Sequence, residues 1–168
     1  GCGLGRMIEL IANGRNTIVG LEPDSERFID CRKRFSGQSN IEIFNTTSSE
    51  FRKANPEARF ELILNSMVLQ HVSTSVCEGI LKDIHALLSA DGVAIIATTQ
   101  NCKELFTFQN SPAHQTRDKF DAYSEQPNKQ MFGIPVRKFS KESFLSSLEE
   151  NGLLVLHWGQ FSYIRTEK

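Results

Sequence analysis

No stretch of this sequence is apolar for long enough to cross a bilayer as a helix, which takes about 20 residues, so no membrane span is expected. Charge is nearly balanced, with 19 Lys and Arg against 20 Asp and Glu for a net −1. That removes any general pull toward nucleic acid or an anionic membrane surface. Cysteine is sparse: Cys2, Cys31, Cys77 and Cys102 form no C-x-x-C pair and lie beside no histidine at ligand spacing. The common zinc frameworks are thereby excluded and no metal is expected. Such cysteines read as free thiols of a cytosolic protein, hence a cytoplasmic location. Repeats and low-complexity segments are also missing. What is there is 168 residues of ordinary globular composition, 39% apolar and 23% charged, enough for one domain with a sizeable core.

Glycine is concentrated at one place. Gly1, Gly3 and Gly5 alternate in Gly1-Cys-Gly-Leu-Gly-Arg6, and Leu4, Met7, Ile8 and Ile11 follow at helical spacing. Next comes the short apolar run from Thr17 that ends on the carboxylate of Glu22. A glycine turn lets backbone approach a ligand closely, because no Cβ intervenes and positive φ is free. A helix starting there points its unpaired N–H groups at the same spot. A carboxylate closing the next strand accepts two hydrogen bonds from a ribose diol. The pattern predicts a nucleoside-binding turn. Its spacing is not that of the dinucleotide fingerprint G-x-G-x-x-G, whose third glycine would fall where Arg6 stands.

Taken together, Gly1-Cys-Gly-Leu-Gly-Arg6 and Glu22-Pro23 resemble motif I and the acidic ribose clamp of the class I methyltransferases that use S-adenosylmethionine. The resemblance implies a cofactor loop of Gly1, Cys2, Gly3 and Gly5, with Gly1 and Gly3 near the methionine part. Pro23 would lie against adenine. In the turn Asn45–Glu50, Thr47 stands where the family has an acid for the adenine amino group, and Ser48 would flank it through its backbone. Asn65 and Ser66, closing a strand, would border the sulfonium. The family also places an apolar strand before its glycines. A chain opening on Gly1 is therefore expected to be an N-terminally truncated fragment, its first central strand missing.

The rest of the chain fits alternating strands and helices. The first helix is expected over Leu4–Asn13 with Asn13-Gly14 as its left-handed cap, then a strand over Thr17–Glu22. A helix capped by Asp24 or Ser25 follows, its inner face Phe28, Cys31 and Phe35. Ile41–Phe44 is the next strand; Leu62, Ile63 and Leu64 are buried in another. A helix capped by Ser73, Thr74 or Ser75 buries Val76, Ile80, Leu81, Ile84, Leu87 and Leu88. Asp91-Gly92 then turns the chain into a doubly covered strand, Val93–Thr98. The pattern stops from 101 to 136, where aromatics mix with His114, Arg117 and Lys119, and a substrate-side insertion is expected. Ser140 caps a last helix, with Phe139 stapled to Phe144. Leu153–Leu156 and Phe161–Arg165 should pair as an antiparallel hairpin. This order implies an α/β fold over 1–168: a Rossmann-like, doubly wound, mostly parallel sheet ending in that hairpin.

Methyl transfer asks for held geometry more than for catalytic side chains. A base is needed only where the acceptor is protonated at neutral pH, and His71, after the fourth family strand, is the best candidate. His114 is a weaker one, and His85 and His157 read as structural. With no basic stripe and no aromatic–proline motif at that strand, a small-molecule, glycan or lipid-linked acceptor is expected rather than nucleic acid. Two alternatives stay open. One is a catalytically silent methyltransferase-like domain serving binding or interaction, which Thr47 in place of an acid keeps alive; the other is an NAD-dependent oxidoreductase. Nothing in the sequence bears on oligomeric state.

Overall fold

The computed structural model describes residues 1–99 and 139–160. The expected insertion at 101–136 and the return strand Phe161–Arg165 lie outside the described residues. Within them, α1 (Arg6–Ile11), β1 (Ile18–Leu21), α2 (Ser25–Arg34), β2 (Ile41–Phe44), α3 (Ser48–Ala54) and β3 (Phe60–Ser66) alternate. A 3-10 turn (Leu69–His71), α4 (Thr74–Leu87), β4 (Leu88–Ala97) and α5 (Lys141–Glu150) complete the order. Both strand pairs are parallel: β1 on β2, from Ile18 opposite Ile41 to Leu21 opposite Phe44, and β3 on β4, ending with Ser66 opposite Ala97. Parallel pairs joined through helices are what the alternating pattern demanded.

Helix starts follow the capping chemistry. Asp24 accepts from the Arg27 N–H at 2.9 Å, and Ser73 and Ser140 accept from Val76 and Ser143. Phe139 and Phe144 meet with ring centroids 5.0 Å apart, the staple across Ser140. Gly152, at φ +80, closes α5.

Two cores result. Under β1–β2, Ile8, Ile18, Cys31, Phe35 and Ile41 pack together. Against β3–β4, helices α4 and α5 bury Leu81, Ile84, Phe144 and Leu148 with Leu69 and Leu153. Asp83, only 3% exposed, ties α3 to α4: it accepts from the Ser48 hydroxyl at 2.6 Å and pairs with Arg52 Nε at 2.8 Å.

Several expectations need correction. The first helix is shorter than Leu4–Asn13; it closes at Ala12, which is extended. Gly14 is left-handed, but the turn there belongs to Asn13, whose Oδ1 accepts from the Arg15 and Asn16 N–H groups. Asp91-Gly92 is not a turn ahead of a strand. The chain enters β4 at Leu88, and residues 89–92 bulge out between the Phe60–Leu88 and Leu62–Val93 pairs. Among the described residues β3–β4 is covered on one face only: Leu62, Val93 and Ile95 are 45–56% exposed while Ile63, Ala94 and Ile96 pack inward. The strands alternate because, among the described residues, helices cover one face only. The expected hairpin of Leu153–Leu156 with Phe161–Arg165 has its second strand outside the described residues.

Candidate cofactor site

The site is built where β1 ends. Cys2 N–H donates to Leu21 O at 2.8 Å, so the glycine loop runs beside the end of that strand. Gly3 and Gly5 take φ of +56 and +82, conformations that side chains with a Cβ resist. Glu22 follows at once and is 4% exposed. It faces the loop: Oε2 accepts from Gly3 N–H at 2.6 Å, and Oε1 accepts from Asp24 N–H at 3.1 Å. Each carboxylate oxygen keeps a further lone pair, so the group still has capacity for two donors. Among the described residues a Cβ placed on Gly3 would meet nothing within 4 Å, which leaves open space over the loop. A buried carboxylate of spare acceptor capacity beside a bare backbone bend suits a ribose diol.

Cys2 contributes backbone here. Its sulfur lies 3.9 Å from that of Cys31, with Gly20 against it, so the side chain packs beneath the loop. Burial, and secondarily the neighbouring Cys31, pushes the Cys2 thiol up to about 12. Burial raises Cys31 as well, so both sulfurs stay protonated at neutral pH and act as small packing groups.

Beyond Glu22 the loop is fastened by a residue the motif did not indicate. Asn45 Nδ2 donates to Glu22 O at 2.8 Å and to Pro23 O at 3.1 Å, while its Oδ1 accepts from the Ser25 hydroxyl. The run of turn-forming side chains after β2 was its only signal. Pro23 itself is exposed.

The end of β3 reaches the same loop. Val68 Cγ2 lies 3.4 Å from where a Gly1 Cβ would be, and Met67 just before it is held at φ 60. Ser66 closes the strand, and Asn65 carries a buried Oδ1 with no hydrogen-bond partner among the described residues. His71 is exposed on the turn that follows, and Gln70 beside it is buried, accepting from Thr98 Oγ1 at 3.2 Å. The structure thus gathers Gly1, Gly3, Gly5 and Glu22, with the end of β3 alongside through Val68. Thr47 and Ser48 are not gathered by their side chains. The Thr47 hydroxyl is committed to a reciprocal cap with Glu50, and that of Ser48 to Asp83. Helix capping takes the Thr47 hydroxyl, and the tie between α3 and α4 takes that of Ser48.

The family profile described as "Methyltransferase domain" matches residues 1–94, more than half of the chain. The chain belongs to that family. It is a class I S-adenosylmethionine-dependent methyltransferase domain, as the Gly1–Gly5 loop and Glu22 imply. Among relatives, it is 34% identical over 73 residues to the ubiquinone biosynthesis O-methyltransferase of Bartonella tribocorum, covering 44% of this chain and 29% of that protein. Among solved structures, PKMT2 from Rickettsia typhi in complex with AdoHcy superposes with a TM-score of 0.64 at 16% identity, over 90% of this chain and 37% of that one. The cyclopropane synthase MmaA2 from Mycobacterium tuberculosis gives 0.65 at 15%, over 94% and 54%. The chain thus spans 29% of the length of the O-methyltransferase and about a third to a half of these structures. Among the described residues no helix is long and apolar enough to cross a membrane.

Proposed function

We propose that this methyltransferase moves the methyl group of S-adenosylmethionine to a hydroxyl of a small-molecule, glycan or lipid-linked acceptor. The observation that carries the reading is Glu22, buried against the glycine loop with one N–H donor on each carboxylate oxygen and acceptor capacity to spare. When bound, the cofactor supplies a methyl already made electrophilic by its sulfonium. The chain's part is to hold and to exclude water. Glu22 grips the ribose, Gly1 and Gly3 let backbone approach, and Pro23 lies against adenine. Thr47 and Ser48 border it through backbone. Asn65 and Ser66 close the sulfonium side, where the orphaned Asn65 oxygen gains a donor. The relative named an O-methyltransferase supports a hydroxyl acceptor, and a hydroxyl needs its proton taken. His71 is the one titratable side chain between Ser66 and Thr74. His71→Ala is expected to lower turnover at least tenfold with cofactor affinity unchanged; unaltered turnover would reduce the residue to scaffold.

The second reading, a methyltransferase-like domain that binds without turning over, is favoured by one observation: the Thr47 hydroxyl is spent on its cap. Turnover separates these readings, since methyl transfer to an acceptor is expected only of the first, and calorimetric titration tests the cofactor itself. Saturable binding of S-adenosylmethionine and none of NAD is expected, and tight NAD binding would overturn the cofactor assignment.

A further inference from the structure

A second concave feature lies away from the glycine loop. It is an open groove of about 340 Å³ lined by Arg52 and Lys53 of α3, Pro56 and Arg59 of the segment before β3, and Ala86 in the last turn of α4. Val68, past the end of β3, touches Gly1, whereas Arg59 immediately precedes β3. Seven residues of strand separate the two, about 20 Å at the usual rise. The groove is therefore no part of the cofactor site. Three of its five lining side chains are cationic and none is acidic.

Two of those cations are held in place. Asp83, 4% exposed at its side chain, lies 2.8 Å from Arg52 Nε as an ion pair whose N–H is not aligned for a hydrogen bond. Asp83 is itself fixed by the Ser48 hydroxyl. The Arg52 side chain remains 42% exposed. Arg59 is pinned through Nη1, which donates to Pro56 O at 2.9 Å and Ala58 O at 2.7 Å. In each case one edge of the planar fork is engaged by the protein, and other nitrogens are left to donate. Guanidinium groups fixed in advance lose less entropy when they meet an oxyanion. Lys53, exposed, adds a third charge.

From this arrangement we infer that the groove is a binding site for a phosphate-bearing small molecule. A phosphate carries close to two charges and three strong acceptor oxygens, which matches two fixed forks and an ammonium. The volume is at the lower end for small-ligand sites, and the cations number too few to track a nucleic-acid backbone. Inorganic pyrophosphate is the probe. Titrated at low salt into the protein and followed by calorimetry, it is expected to bind saturably, and at least tenfold more weakly to a Lys53→Gln, Arg59→Gln double variant. Both residues are exposed, so an unchanged melting curve and unchanged S-adenosylmethionine affinity should accompany that loss. Arg59→Lys keeps the charge but not the fork and is expected to weaken binding several-fold. Absence of saturable binding, equal binding by the double variant, or citrate binding as tightly as pyrophosphate would each overturn the assignment. The S-adenosylmethionine arm reports on the cofactor site separately, so failure here leaves that reading standing.

Discussion

Glu22→Ala is expected to lower affinity for S-adenosylmethionine at least a hundredfold. Two charge-assisted hydrogen bonds to a ribose diol, at roughly 1.5–3 kcal/mol each, correspond to about 10²–10⁴ in a dissociation constant. The carboxylate has a second task, because the Gly3 and Asp24 N–H groups both donate to it. Part of any loss would therefore come from a loop no longer held. The two contributions separate with a cofactor analogue lacking both ribose hydroxyls. If Glu22 grips the diol, the wild-type protein should bind that analogue poorly, and Glu22→Ala should cost it only the loop term. A double-mutant cycle then gives the direct contact as the coupling between side chain and hydroxyls. Zero coupling, with the natural cofactor and the analogue equally weakened, would leave Glu22 as a loop fastener and remove the ribose from its role.

How much of this was legible in the sequence depends on where each residue's partner lies. The glycine loop and Glu22 were readable because their requirement is local: backbone free of side chains, then a carboxylate one strand later. Caps at Asp24, Ser73 and Ser140 were readable for the same reason. Thr47 was not, because a reciprocal cap with Glu50 and an adenine contact call for the same hydroxyl, and the capping partner is only three residues away. Asn45 and Asp83 were hidden by distance: each closes contacts across 20 to 35 residues of sequence that no local pattern encodes. The apolar runs in β3 and β4 misled in a different way. A run of apolar residues says that both faces avoid water, yet Leu62, Val93 and Ile95 are exposed among the described residues. The run carries no information on what would cover the second face.

Gly5→Ala is expected to be the most destabilising small substitution in the glycine loop. Two costs coincide at this position. The residue holds φ +82, where a Cβ costs roughly 1–2 kcal/mol. That Cβ would also fall 2.3 Å from Phe35 Cε2 and 3.0 Å from Cys31 Sγ. Neither neighbour yields easily: Phe35 is 5% and Cys31 0% exposed, both within the core under β1–β2, and overpacking of this kind costs about 1–3 kcal/mol. The sum is a large share of a domain's net stability of roughly 5–15 kcal/mol, and a melting point lower by roughly 10 °C is expected. Gly3→Ala provides the contrast. It also has positive φ, but no atom of the described residues lies within 4 Å of its Cβ position, so it should lose much less stability while still obstructing the cofactor. Stability and binding would then be lost at different glycines two residues apart. Trimming the obstacle checks the cause: Phe35→Leu in the Gly5→Ala background should recover part of the lost stability, although Phe35→Leu alone destabilises. A Gly5→Ala protein melting within 2 °C of wild type would mean that the loop does not rest on Phe35 at all.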